Sequence, residues 1–157
     1  MISKLFAALP ALFLAVSVSA QQPAATAQLD YSTARITPGM WTYQSVPGGS
    51  AARFVDSSGA ARFALECSKA TRRVAISRST NAAATGLFIW TTDASRSLGA
   101  RFDPTAMRVA LELAARDPLL DAMAFSRGRI AVVMTGAEAL VMPAWPEAAR
   151  TIEDCRN

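Results

Sequence analysis

No histidine occurs anywhere in the 157 residues. This removes Ser-His-Asp and Cys-His catalysis, histidine-ligated zinc and the commonest general base at neutral pH. Cysteine is almost as scarce, with only Cys67 and Cys155 and no Cys-x-x-Cys spacing. Once these two are joined to each other, thiolate metal ligation is lost as well. Lysine is reduced to Lys4 and Lys69, so every other basic side chain is an arginine, permanently charged and unsuited to general-base work. The sequence has no P-loop, no GxGxxG turn after a strand, no GxSxG elbow and no EF-hand loop. Neither a metal nor a cofactor is expected, and most hydrolytic mechanisms lack their reagents.

Long apolar runs are also missing. Residues 5–18 form a 14-residue apolar stretch interrupted by Pro10, short of the roughly 20 residues a membrane span needs. With a basic start through Lys4 and the small residues Val18-Ser19-Ala20 behind it, the stretch has the layout of a signal peptide over residues 1–20, cleaved after Ala20. The remainder is expected to be a soluble periplasmic protein with no membrane span. It is long enough for one domain with a real core. Removal of Lys4 leaves 15 basic against 12 acidic side chains. The arginines are scattered from Arg35 to Arg156 with no basic stripe, so no nucleic-acid partner is expected. In an oxidising compartment Cys67 and Cys155 should pair. The bridge closes a loop of about 90 residues, which in the chain-entropy model stabilises by roughly 4–5 kcal/mol.

Residues 21–37 are rich in Ala, Gln, Thr and Ser and read as a flexible leader, with a single β-rich domain over residues 38–157. Within it, MWTYQSV (40–46) is a first strand, and Pro47-Gly48-Gly49-Ser50 a dense turn signal. Residues 53–56 and 62–67 flank Ser57-Ser58-Gly59-Ala60 as a hairpin. In RFALEC, Phe63, Leu65 and Cys67 share one face, the period of a half-buried strand. RRVAISR (72–78) continues it with Val74 and Ile76 inward. GLFIWTT (86–92) is apolar on both faces, as in a central strand or one covered by a helix. Residues 98–102 read as one short strand. Residues 105–115 mix helix-favouring residues with strict alternation of Met107, Val109, Leu111 and Leu113; the alternation favours a strand.

In the last third, Asp117 suits a helix N-cap, Pro118 the first helical position and Gly128 a C-terminal cap, with Leu119, Leu120, Met123 and Phe125 as apolar positions. RIAVVM (129–134) and ALVM (139–142) form a hairpin. Pro146 starts a last helix in which Ala149, Ile152 and Cys155 face the core. The expected fold is mainly β, a β-sandwich or partly open barrel, with two short C-terminal helices.

Little of the remaining chemistry is catalytic. Ser68 and Lys69 are adjacent, and neighbours on a strand point to opposite faces, so a serine-lysine dyad is disfavoured. Asp117 with Asp121, or Glu153 with Asp154, are the carboxylate pairs a glycosidase would need, but Asp117 is better spent as a helix cap and Glu153 and Asp154 diverge on a helix, so caps and surface charge are the preferred reading. Ser126-Arg127-Gly128-Arg129 is the most suggestive polar cluster. Its two arginines can grip a carboxylate, phosphate or sulfated sugar, or else oppose the acids at 117, 121, 153 and 154. Trp41, Trp90 and Trp145 can line a groove, although core packing suits at least two of them. Arg127, Arg129 and Trp145 are therefore the candidate contacts.

The early Trp41, the strand-rich middle, DPLLDAMAFSRGR and PAWPEAARTIEDC together resemble small exported alphaproteobacterial proteins of the invasion-associated locus B family. The resemblance implies a periplasmic β-rich fold without known catalytic residues. The expected function is non-enzymatic binding of an unknown protein or envelope polymer. The alternatives are an inhibitor of an envelope-targeting enzyme such as lysozyme, or a carboxylate-dependent hydrolase. A carboxylate-lined cleft would favour the hydrolase, protruding loops at 47–50 or 79–85 the inhibitor, and an exposed Trp or Arg patch the binding protein.

Overall fold

Period-two alternation in the first half of the chain becomes a meander of antiparallel strands. The computed structural model describes residues 30–157, so the expected signal peptide and residues 21–29 of the leader lie outside the described residues. The strands are β1 (Met40–Val46), β2 (Gly49–Val55), β3 (Ala61–Ser68), β4 (Arg73–Ser79), β5 (Gly86–Trp90), β6 (Ser95–Gly99), β7 (Arg101–Asp103), β8 (Arg108–Ala114), β9 (Arg129–Val133) and β10 (Leu140–Pro143). Two helices, α1 (Pro118–Ala124) and α2 (Pro146–Asp154), complete the fold. The strands form two antiparallel sheets, one ordered β1-β2-β3-β4-β8-β7 and the other β10-β9-β5-β6. The mainly β expectation with two short helices holds. The sheets remain separate and do not close into a barrel.

In the six-stranded sheet the inward residues are Ala52 and Phe54 of β2, Phe63, Leu65 and Cys67 of β3, and Val74, Ile76 and Arg78 of β4, all buried. Val46 pairs with Gly49 across a two-residue turn, so Gly49 and Ser50 belong to β2 and not to the expected loop. Gly48 takes φ 79° there, a left-handed conformation that glycine adopts without steric cost. The β2–β3 turn is closed by Asp56, whose Oδ1 accepts from the Ser58 and Ala60 amides at 3.0 and 3.2 Å.

Residues 105–115 are a strand from Arg108 onward, paired with β4 along its whole length. Ladder partners outweigh the helix propensity of ALELAAR. Met107 lies outside it, at φ 47° in the turn before β8. The single strand expected over 98–102 is two strands in different sheets. Gly99 ends β6, which pairs with β5, and Arg101 opens β7, which pairs with β8. The chain changes sheet at Ala100, whose amide donates to the Thr85 carbonyl at 2.8 Å.

Between the sheets lie Trp41, Phe54, Phe63, Leu65, Ile76, Leu87, Ile89, Ile130 and Met142. Trp41 meets Phe54 and Phe63 edge-on at 5.7 and 6.0 Å. Its Nε1 donates to the Pro143 carbonyl at 2.8 Å, tying the edges β1 and β10 together. Asp117 caps α1 by accepting from the Leu119 amide at 2.8 Å, and Pro118 opens the helix. The helix ends at Phe125, three residues before the expected Gly128. Gly128 instead turns the chain into β9 at φ 93°. Helix α2 buries Ala148, Thr151 and Ile152, with Ala149 displaced from the core by one position. Cys155 behind it is bonded to Cys67 with Cα atoms 5.4 Å apart, so the expected disulfide fastens α2 beneath β3.

The leader does not run free through its described part. Residues 30–37 lie on the outer face of the four-stranded sheet. Thr37 donates its amide to the Val141 carbonyl at 2.8 Å and accepts from the Val141 amide through Oγ1 at 3.1 Å. Tyr31 meets Trp90 edge-on at 6.0 Å, and with Ala34 it covers Trp90, Ala131 and Val141. β5 is therefore apolar on both faces because Leu87 and Ile89 fill the core, Trp90 lies beneath this segment and half-buried Phe88 packs against the same cluster. β5 is an inner strand of its sheet, between β9 and β6, as the central-strand alternative expects, and its cover is the leader, not a helix.

Candidate functional site

The Ser126–Arg129 turn joins α1 to β9 and is held by hydroxyl groups. Ser126 Oγ donates to the Arg129 carbonyl at 2.7 Å and accepts from the Thr92 amide at 3.1 Å. Thr92 Oγ1 accepts from the Arg127 amide at 2.9 Å and lies 3.0 Å from the Arg127 carbonyl. The backbone of the turn is fixed from both sides, and its two arginines separate in role. Arg129 extends along the outer face of β9, where Nε donates to the Ala34 carbonyl at 2.9 Å and Nη1 to that of Ser32. It is a clamp on the N-terminal segment. Arg127 is exposed and forms no ion pair among the described residues.

Trp145 is brought beside this turn by the end of the β9–β10 hairpin. The Ala144 amide donates to the Gly128 carbonyl at 3.1 Å, and the Trp145 amide to the Pro143 carbonyl at 3.0 Å. Trp145 caps α2 by position only, with no side-chain bond, and the residue is 44% exposed. Phe125, at the end of α1, is 68% exposed. It was expected in the core. At about 100° per residue it falls off the face carrying Leu119, Leu120 and Met123. Phe125 and Trp145 are thus large exposed residues on the segments that meet at this turn, and Arg127 within it forms no ion pair among the described residues. Trp41 and Trp90 are buried, as expected for two of the three tryptophans.

The acids that Arg127 and Arg129 were expected to oppose have other partners. Asp117 Oδ1 meets Arg96 Nη2 at 2.7 Å while capping α1. Arg156 takes Asp121 at 2.7 Å and Glu153 at 2.9 Å. Asp154 accepts from the Tyr43 hydroxyl at 2.7 Å, and Arg150 lies over the Tyr43 ring at 4.0 Å. Burial works to raise the Asp154 carboxyl, but the hydrogen bond from Tyr43 and the charges of Arg150 and Lys69 hold it below the usual range. Neither carboxylate pair is thus a free couple facing a cleft.

A groove of about 860 Å³ runs over the outer face of the six-stranded sheet between Arg73, Ala75, Arg101, Arg108 and Glu112. Its two carboxylates are engaged, Glu112 with Arg73 at 2.9 Å and Asp103 with the Thr105 and Ala106 amides at 2.9 and 3.0 Å. Among the described residues no three acidic, cysteine or histidine side chains gather as a metal site. No helix there is long and apolar enough to cross a membrane.

Arg78 was not singled out in the sequence. It is only 4% exposed, and it reaches from β4 to donate Nη1 to the Val132 carbonyl at 2.5 Å and Nη2 to that of Glu138. Burial lowers its pKa, with nearby Arg62 acting in the same direction and Glu138 opposing; an arginine so placed remains charged. The alternation Val74, Ile76, Arg78 already carried the signal. Continued by one step, it puts the guanidinium on the buried face.

Comparison with known proteins returns nothing: no family model, no curated protein and no solved structure matches the chain. The resemblance to the invasion-associated locus B family rests on the quoted residues alone.

Proposed function

We propose that the protein is a non-enzymatic binding protein of the periplasm, and that the end of the molecule carrying Phe125, Arg127 and Trp145 takes a protein or envelope-polymer partner. The observation that carries the reading is two large exposed aromatic residues, Phe125 and Trp145, on the segments that meet at a turn whose Arg127 forms no ion pair among the described residues. Exposed aromatics and arginine are the residue types enriched where partners bind, and a ring with a neighbouring cation suits sugar or anionic groups. The fixed turn backbone supports this, because a pre-organised surface loses less entropy on binding. The disulfide is compatible with export.

The test compares the protein with Phe125→Ala, Arg127→Ala and Trp145→Ala. Co-sedimentation with purified cell-wall sacculi and cross-linking in intact envelopes are the two readouts. Each single variant should weaken the interaction by about tenfold or more, as for an interface anchor. Retention of full binding by all three would overturn the assignment of this surface. Inhibition of lysozyme that is lost in the same variants would identify the partner class as an envelope-targeting enzyme.

A further inference from the structure

We infer that β1 is the interface through which two copies of this chain join edge to edge into one continuous sheet. The strands β1, β7, β10 and β6 lie at the sheet edges, where unpaired backbone groups invite another strand. Three of them are protected. β7 is three residues long and carries Arg101 and Asp103. β6 carries Arg96. β10 ends in Pro143 and is bonded along its edge to Thr37. β1 has none of these devices: its seven residues, MWTYQSV, contain no charge, proline or glycine, and its register with β2 is unbroken from Met40 to Val46.

The hydrogen-bond phase identifies which groups are free. The Lys69 amide donates to the Gly48 carbonyl at 2.9 Å, so Ser50, Ala52 and Phe54 of β2 direct their backbone groups to β3. The alternate residues Gly49, Ala51 and Arg53 then bond Val46, Gln44 and Thr42, following the antiparallel pattern. The N–H and C=O groups of Trp41, Tyr43 and Ser45 therefore point away from the sheet, and none has a backbone partner among the described residues. α2 lies over the inner face of β1 to β3 and leaves this edge open.

These free groups are symmetric about Tyr43. A two-fold axis there sets Tyr43 against Tyr43 of the second copy and Trp41 against Ser45, and every free group gains a partner. Isologous pairing of this kind is self-complementary. On the outer face it places Thr42 opposite Gln44, two uncharged polar residues, so nothing along the edge repels its own copy. Met40, 55% exposed at the strand start, lies beside the junction. In a chain with net charge +4, an uncharged strand is where two copies approach without repulsion.

Sedimentation equilibrium of the purified protein tests this, with a concentration-dependent species of twice the chain mass expected. Ser45→Pro removes one free N–H without taking a bond from β2, and proline is tolerated at such edge positions. It should weaken the dimer by at least about tenfold while leaving the thermal midpoint of the monomer near the parent value. Thr42→Glu with Gln44→Glu sets like charges opposite each other across the junction, with Arg53 beside them within each chain, and should give monomer even if the proline variant folds poorly. A parent protein that stays monomeric at all concentrations overturns the inference, as does a dimer that survives both changes.

Discussion

The two sheets bury similar cores by different means. The six-stranded sheet is a meander of neighbours in sequence through β4, with β8 and β7 added later, and its outer face is polar. Arg53 pairs there with Glu66 at 2.9 Å, and Arg73 with Glu112. The four-stranded sheet is assembled from β5, β6, β9 and β10, segments separated by other structure, and its outer face is apolar over β5, β9 and β10 around Trp90, Ala131 and Val141. That face is completed only when residues 30–37 lie across Trp90, Ala131 and Val141. A sheet with one wet face needs only its own alternation, whereas a sheet with two dry faces needs a second layer.

The comparison can be broken first where each sheet depends on a distant residue. Replacing Cys67 and Cys155 together with serine frees α2 from β3. The expected loss is about 4 kcal/mol in the chain-entropy model, read as a lower urea midpoint with tryptophan emission as the probe. A change below about 1 kcal/mol would show that packing of Ala148 and Ile152 alone holds α2.

A slightly smaller effect is expected at the bridge between the sheets. Arg78→Met keeps the volume but leaves the carbonyls of Val132 and Glu138 without donors. Loss of bonds from a charged group to buried acceptors should cost about 3 kcal/mol in the same measurement. A neutral result would mean that water reaches those carbonyls.

Arg129→Ala should have the smallest effect and the most local one. It removes the clamp on Ser32 and Ala34, with a loss of about 1 kcal/mol. Amide exchange should accelerate in residues 30–37 and around Trp90, with β2 to β4 unchanged. Equal acceleration in both sheets would contradict their independence.

The same contrast explains what could be read from the chain. The alternations Phe63-Leu65-Cys67 and Val74-Ile76 predicted faces correctly because one side of that sheet meets water. GLFIW gave no such direction, since Trp90 is covered by residues far away in sequence and too polar in composition to look like part of a core. The disulfide was legible from cysteine count and context alone. Of the candidate site residues, Arg127 and Trp145 lie together at one end. Arg129 was indistinguishable from Arg127 in sequence, because its task depends on carbonyls 95 and 97 residues away. The split of residues 98–102 between two sheets was likewise hidden, since a corner such as Ala100 has no residue signature of its own.

The Cys67–Cys155 bond also fixes an order of events. The two residues are 88 positions apart, and every strand of the four-stranded sheet lies between them. At synthesis rates of about 5–20 residues per second, Cys67 waits roughly 4–18 seconds for its partner to be made. During that time β1 to β4 can already pair, with Cys67 on the face it shares with Phe63 and Leu65. With only two cysteines in the sequence, the sole incorrect bond is one to another molecule. Because α2 supplies cover over that face, the Cys67 thiol stays open to such a bond until the last helix arrives.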